Sequence, residues 1–224
     1  MNITLPCKTL KTALQSVLPH ASTDKLKPIL RGVPILRGVH VYVHAGNVLF
    51  EATDRHTLGM CKVELGDQAA ADDASFSVVL PLDDVKVVVK FLGTVPDQIN
   101  VTVSVGEDDK VTVTAPGCSM SLVAYNGTYP TLRSIVPVVP GSGESLGVVS
   151  YDPQLLARFS VSARAFREGK SVPCVTVINP KRAGVSTRAG VSTQVTIGGD
   201  FLGLIMVARD TEPTVAREGW GSIL

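Results

Sequence analysis

The chain has 224 residues, of which 45% are hydrophobic and only 18% charged; that composition can bury a core and excludes a wholly disordered, solvated chain. Lys plus Arg (21) nearly cancels Asp plus Glu (20), leaving a net charge of +1, so a uniformly basic nucleic-acid binder is excluded and any such surface must come from local segregation of charge. No apolar run reaches the roughly 18 residues that span a bilayer and no signal-peptide core follows Met1, so no membrane partner is expected and the expected compartment is cytoplasmic.

The first pattern is helical. Leu10, Ala13, Leu14, Val17 and Leu18 recur on one face of the window 7–18, Lys8, Lys11, Thr12 and Gln15 lie on the other, and Pro19 stops it. Strand-like runs follow at 29–36, 39–44, 48–53 and 57–65, with a hairpin turn at Ala45-Gly46-Asn47. The order then repeats. A strand at 75–80 leads through Pro81 into a helix with Asp83 and Asp84 near its positive end and Val85, Val88, Val89 and Leu92 on its buried face, ended by Gly93. Strands at 101–105, 111–114 and 119–124 complete this second unit, with a hairpin at 106–109.

A Pro/Gly/Ser-rich stretch at 137–143 reads as a linker. Beyond it the pattern returns as a strand at 146–150, then a helix N-capped by Asp152, with Pro153 at its first position and Leu155, Leu156, Phe159 and Ala163 facing inward. Strands at 172–178, 194–197 and 201–207 follow. The predicted class is α+β, made of repeated β-α-β-β-β units. Two units fill a domain at 1–140, and 145–224 forms a C-terminal domain or half-domain with a tail. Two literal duplications, Ile29–Val33 recurring at Ile35–Val39 and Ala183–Thr187 at Ala189–Thr193, have a six-residue period that preserves strand alternation and read as local slippage.

Little in the sequence calls for catalysis. Cys7, Cys61, Cys118 and Cys174 are widely spaced with no metal-binding pattern, and read as small buried hydrophobes. No nucleophile elbow, phosphate loop or zinc-protease motif is present. Asp54-Arg55-His56 lacks a nearby third ligand, and His40, Tyr42 and His44 share what reads as an exposed strand face. No cofactor and no metal are expected. What stands out is basic residues on helices: Lys8 and Lys11 on the first, Lys86 and Lys90 on the second, Arg158, Arg164 and Arg167 on the third. Much of the acid falls on strands and hairpins.

Five stretches, taken together and in order, resemble the bacterial β sliding clamp family. They are Lys27-Pro-Ile-Leu-Arg-Gly-Val33, Phe50-Glu-Ala-Thr-Asp-Arg-His-Thr-Leu-Gly59 (similar to the family's "ATD-x-H-x-L" segment), Leu80-Pro-Leu-Asp-Asp-Val85, the Tyr-Pro connector Tyr125–Pro137, and Phe201–Arg209. The resemblance implies a DNA-clamp fold with helices on one face of antiparallel sheets, and a non-enzymatic, homo-oligomeric ring that encircles double-stranded DNA without reading its sequence. Its implied partners are a DNA polymerase and a clamp loader, which dock through short peptides.

Carried onto this chain, the resemblance implies a DNA-facing wall of Lys8, Lys11, Lys86, Lys90, Arg158 and Arg164. It also implies a peptide pocket of His56, Thr57, Leu58, Pro137, Leu204 and Met206. The chain departs from the family in having three units where a family subunit has three domains of two units each, Val207 in place of a proline, and a tail from Asp210 that carries Trp220, Ile223 and Leu224. Four chains would supply twelve units; counting the C-terminal half as a full domain gives a trimer. The alternative to a clamp is a non-enzymatic β-rich structural or binding protein such as a virion component, and an enzyme with dispersed catalytic groups is the least favoured class.

Overall fold

A five-residue strand absent from the sequence expectation opens the chain. In β1 (Asn2–Pro6), Ile3 and Leu5 are buried while Asn2 and Pro6 are exposed, a period-two pattern too short to stand out beside the helix that follows. The computed structural model describes residues 2–23, 34–66, 76–106, 108–136, 150–178 and 192–206.

Pro6 caps α1 (Cys7–Val17) without a side-chain hydrogen bond. The orphan N–H groups of the first turn are met instead by another loop: Cys7 N donates to Ile99 O at 2.7 Å and Lys8 N to Asp97 O at 3.0 Å. A 3-10 turn, Leu18–His20, follows. The expected strand over 29–36 is corrected at its C-terminal end, where Pro34–Arg37 is a 3-10 turn; Pro34 has no N–H to give a ladder. Then come β2 (Gly38–His44), β3 (Asn47–Thr53) and β4 (Thr57–Glu64). Ala45 and Gly46, at φ 49° and 73°, make the two-residue β2–β3 turn, whose left-handed positions match strand twist.

The second unit repeats the plan: β5 (Ser77–Pro81), α2 (Leu82–Leu92), β6 (Asn100–Val105), β7 (Lys110–Ala115) and β8 (Cys118–Val123). Pro81 sits at the N-cap rather than inside the helix, again with no side-chain cap, and Asp83 and Asp84 occupy the first turn as expected. Past the connector, Asp152 accepts from Gln154 N and starts α3 (Pro153–Ala165), followed by β9 (Val175–Ile178), β10 (Ser192–Ile197) and β11 (Phe201–Met206). The strand expected at 146–150 lies outside the described residues.

The units exchange their first strands. Among the described residues, one sheet runs β1-β6-β7-β8 and the other β5-β2-β3-β4-β11-β10-β9. Thus β1 of the first unit pairs with β6 of the second, and β5 of the second with β2 of the first. The third unit joins the first through antiparallel β4–β11 pairing, so one seven-stranded sheet crosses the expected boundary near residue 140.

That seam is built on two glycines. Gly59 and Gly203 face each other across β4–β11, on the sheet face that meets the helices. A Cβ on Gly59 would collide with the His20 ring, and one on Gly203 with the Phe159 ring. The missing side chains let His20 and Phe159, both 0% exposed, descend onto the sheet with their ring centroids 4.7 Å apart. Phe201 meets Phe159 edge-on at 6.4 Å and Phe166 at 6.2 Å. Of the positions expected to face inward on α3, Phe159 and Ala163 are buried and Leu155 is half-buried, but Leu156 is 38% exposed. Gly203→Ala is expected to overpack this seam and cost about 1–3 kcal/mol, measured as a lower midpoint in urea unfolding; Gly199→Ala, where an added Cβ meets nothing within 4 Å, is the matched control.

Candidate nucleic-acid interface and the connector-covered sheet face

The three described helices form a row. α1 packs against both α2 and α3, Cys7 Sγ donates to Leu92 O at 3.2 Å at the end of α2, and Thr12 Oγ1 donates to Ala165 O at 3.4 Å at the end of α3. The C-terminal ends of α2 and α3 therefore both lie against the N-terminal half of α1. Partial negative charge at those ends favours cations there, and each last turn carries one, Lys90 and Arg164.

Five of the six residues expected on a DNA wall sit on this row with their charge accessible or lightly paired. Lys8, Lys90 and Arg164 are exposed and make no ion pair among the described residues. Lys11 Nζ pairs with Asp97 at 2.9 Å and Lys86 Nζ with Asp83 at 2.9 Å, both at the surface. Such pairs are worth at most about 1 kcal/mol and yield to a competing phosphate. Between α1, β4 and the end of α3 lies an open cavity of about 530 Å³ whose lining mixes Lys8, Lys62 and Arg167 with Glu64, Glu168 and Asp200.

Arg158 differs from the other five in its pairing. Its Nη1 donates to Asp54 Oδ2 at 2.6 Å and to Thr57 Oγ1 at 2.9 Å, which ties α3 to the β3–β4 turn. Asp54 Oδ1 also accepts from the backbone N–H of His56 at 3.0 Å and of Thr57 at 2.9 Å, while Arg55 takes a left-handed φ of 79°. The Asp54-Arg55-His56 segment is thus a side-chain-closed turn that receives an arginine. Burial pushes the Asp54 carboxyl up, but the Thr57 amide and Arg158 hold it lower on balance.

Beside this brace, His20 Nε2 lies 3.0 Å from Ser162 Oγ. Ser162 Oγ donates to Ser16 O at 2.6 Å. With its proton committed there, Ser162 accepts from His20, so the proton sits on Nε2 and the ring is neutral. His20 Nδ1 is buried without a partner among the described residues. Burial, reinforced by the nearby Arg158 charge, lowers His20 from 6.5 to about 3.

The opposite sheet face holds a second apolar cluster. Leu58, Met60 and Leu204 are buried there with Ile35, Val79, Tyr129 and Leu132; Leu202 and Val136 pack at its margin. Leu58 faces Leu204 across β4–β11, and Met206 N donates to His56 O at 3.0 Å. Four of the expected pocket residues, His56, Leu58, Leu204 and Met206, therefore come together. Thr57 does not join them. Successive strand residues point to opposite faces, so Thr57 turns toward Arg158 while Leu58 turns away. Pro137 lies outside the described residues. The connector residues Tyr129 and Leu132 already roof Leu58 and Leu204, leaving half-buried Met206 and exposed Ile135 as the reachable apolar surface.

Two further expectations are corrected. His40 does not lie on an open strand face: it stacks between Tyr42 (4.5 Å) and Tyr129 (4.7 Å), and its Nδ1 is 2.8 Å from the buried Glu51 carboxylate. Cys7 and Cys61 are buried as expected, but Cys118 and Cys174 are exposed.

The pH dependence of stability follows from His20. Between about 3 and 6.5 the unfolded chain binds a proton that the folded chain refuses, so stability falls as pH drops below 6.5, by up to about 1.4 kcal/mol per pH unit from this group. The Asp54 contribution has the opposite origin: a lowered carboxyl stabilises at neutral pH and is lost only in stronger acid. Urea midpoints measured from pH 7.5 to 4.5 should fall for the parent chain and fall less steeply for His20→Gln; equal slopes would exclude His20 as the group responsible.

Comparison with known proteins places this geometry. Residues 4–131 match the family model for the central domain of the DNA polymerase III beta subunit. Among solved structures, the chain is similar to the DNA polymerase sliding clamp from Pseudomonas aeruginosa (TM-score 0.70, 13% identity, 93% of this chain and 66% of that one). It is also similar to the clamp from Bacillus subtilis (0.53, 22%, 93% and 50%) and to the beta subunit from Streptococcus pyogenes (0.65, 18%, 93% and 66%). The chain thus spans between 50% and 66% of the length of those subunits. No curated protein sequence matches it. The solved structures share its α+β clamp fold, the family match covers more than half of its length, and the chain belongs to the DNA polymerase III beta subunit family.

Proposed function

We propose that the chain is a sliding-clamp subunit, non-enzymatic, that assembles into a closed ring around double-stranded DNA and tethers a polymerase to it in the cytoplasm. One observation carries the reading: three helices lie in a row with Lys8, Lys11, Lys86, Lys90 and Arg164 on them, in a protein of net charge +1. Charge concentrated on helices and not on the whole surface suits a channel wall that meets phosphates of any sequence. The lysines are long and either unpaired among the described residues or in exchangeable surface pairs, which suits sliding better than tight holding. Arg158, committed to Asp54, has no part in this wall.

The test is topological. A closed ring is retained on circular DNA and runs off the same DNA once linearised, and its molar mass by light scattering is a multiple of one chain. Replacing Lys8, Lys90 and Arg164 by Gln should weaken association alike for all sequences and flatten its salt dependence, by about 0.9 log unit per lost phosphate contact. Equal retention on circular and linear DNA would sink the ring reading.

The outer-face cluster supports docking of a polymerase- or loader-derived peptide through Leu or Phe anchors onto Met206, Val136 and Ile135, beside His56. Met is adaptable enough to accept either anchor. Met206→Ala combined with Ile135→Ala is expected to weaken such a peptide by more than about tenfold in fluorescence anisotropy without altering the thermal midpoint. Leu58→Ala and Leu204→Ala, by contrast, delete core and should cost about 2–5 kcal/mol of stability.

A further inference from the structure

Strand pairing assembles a serine, a histidine and a carboxylate on one sheet face. His40 of β2 lies directly opposite Glu51 of β3 and, on its other side, opposite Val79 of β5. Ser77 is two residues before Val79, so it points to the same face and sits diagonal to His40. The contacts run in series. His40 Nδ1 is 2.8 Å from Glu51 Oε1, and His40 Nε2 is 2.9 Å from Ser77 Oγ. An ionised carboxylate only accepts, so Nδ1 carries the proton toward Glu51, and Nε2 of the neutral ring accepts from the Ser77 hydroxyl.

The ring is held on this line. Its faces stack on Tyr42 and Tyr129, and Tyr42 Oη donates to Glu51 Oε2 at 3.3 Å. Burial is graded along the series: Glu51 is buried, His40 half-buried, and Ser77 exposed at the start of an edge strand. A buried carboxylate behind an imidazole, with a reachable hydroxyl in front of it, is the arrangement that activates a serine as a nucleophile. The molecule's other Ser–His pair lacks it. His20 Nδ1 has no partner among the described residues, Ser162 gives its proton to Ser16 O, and both side chains are sealed in the core.

His40 and Ser77 open into a cavity of about 420 Å³, lined also by Tyr125, Asn126 and Thr128. That volume falls within the roughly 300–1,000 Å³ of small-molecule sites. The carboxylate of Asp109 on the same wall disfavours an anionic group there.

We propose that Ser77 is a self-acylating nucleophile that takes the acyl group of a small uncharged ester, with His40 as its general base and Glu51 as the residue that positions His40. Ser77 Oγ bonds to the ester carbonyl carbon while its proton passes to His40 Nε2. The bond from that carbon to the alcohol oxygen then breaks, and His40 gives the proton to the departing oxygen. The products are O-acyl Ser77 and a free alcohol, with no oxidation or reduction. One acylation per chain is a covalent modification of this sheet face; it is independent of the clamp reading, which uses the helix row.

The full-length chain mixed with p-nitrophenyl acetate is expected to release a burst of about one equivalent of p-nitrophenol and to gain one acetyl group, placed on Ser77 by peptide mass mapping. Ser77→Ala, at an exposed position, should abolish the burst without moving the thermal midpoint. His40→Gln should slow it by about a hundredfold or more. Ser121→Ala, which removes a hydroxyl 3.1 Å from Thr112 Oγ1 and no part of the series, should leave it unchanged. Glu51→Gln should slow the burst and also remove the far-downfield proton NMR signal of an imidazole N–H bonded to a carboxylate; should that variant not fold, Ser77→Ala and His40→Gln decide the matter. Acetyl groups found only on lysines, or Ser77 acetylated equally fast in His40→Gln, would overturn the proposal. Neither result bears on the clamp reading, whose test is retention on circular DNA.

Discussion

The structure depends on an absence. Where β4 meets β11, Gly59 faces Gly203, and the volume that two side chains would have filled is taken by His20 from the 3-10 turn after α1 and Phe159 from α3. A Cβ at Gly203 would collide with Phe159 of α3, and one at Gly59 with His20. A fully buried phenylalanine supplies about 2–3 kcal/mol, so this one contact is comparable with a sizeable fraction of a small domain's net stability. Continuity of the seven-stranded sheet and alignment of α3 with α1 are two consequences of the same close approach.

Electrostatics follows from that packing. Arg158 on α3 reaches Asp54 only because α3 lies low over the seam, and Asp54 is prepared for it by a turn that aims one carboxylate oxygen at two backbone N–H groups and leaves the other for the guanidinium. A partly buried pair of this geometry fixes register as much as it adds stability. Of the remaining helix cations, Lys11 and Lys86 make surface pairs, while Lys90 and Arg164 rest on the negative ends of α2 and α3. A near-neutral chain thereby gains a basic row without an excess of basic residues.

Much of this was legible in the sequence. Period and capping gave three helices within a residue or two of their observed ends, most of the strands, and the order of the units. Whatever depended on tertiary position was not. β1 was missed because five residues with two inward positions carry little pattern, and its strand identity comes from pairing with β6, nearly a hundred residues away. Arg158 resembled Arg164, since nothing local says that one of them meets a carboxylate on another unit. Alternation could have separated Thr57 from Leu58, because neighbouring strand residues cannot line one pocket. Exposure of Cys118 follows from β8 being an edge, which no local rule reveals. His40 was misplaced for a similar reason: the connector that brings Tyr129 over it arrives from a distant part of the chain.

The two faces of the sheet are joined by few atoms. β11 sends Phe201 and Ile205 toward the helices and Leu202, Leu204 and Met206 toward the connector, so one six-residue strand serves both sides. From Met206 the path inward is short: its N–H is bonded to His56 O, the His56 N–H to Asp54, and Asp54 to Arg158 on the helix row. Hydrogen bonds of this kind transmit position and not necessarily signal. They hold the strip around Met206 and the helix row in fixed relation. At the seam, His20 and Phe159 do for two glycines what side chains of their own would do elsewhere in the sheet.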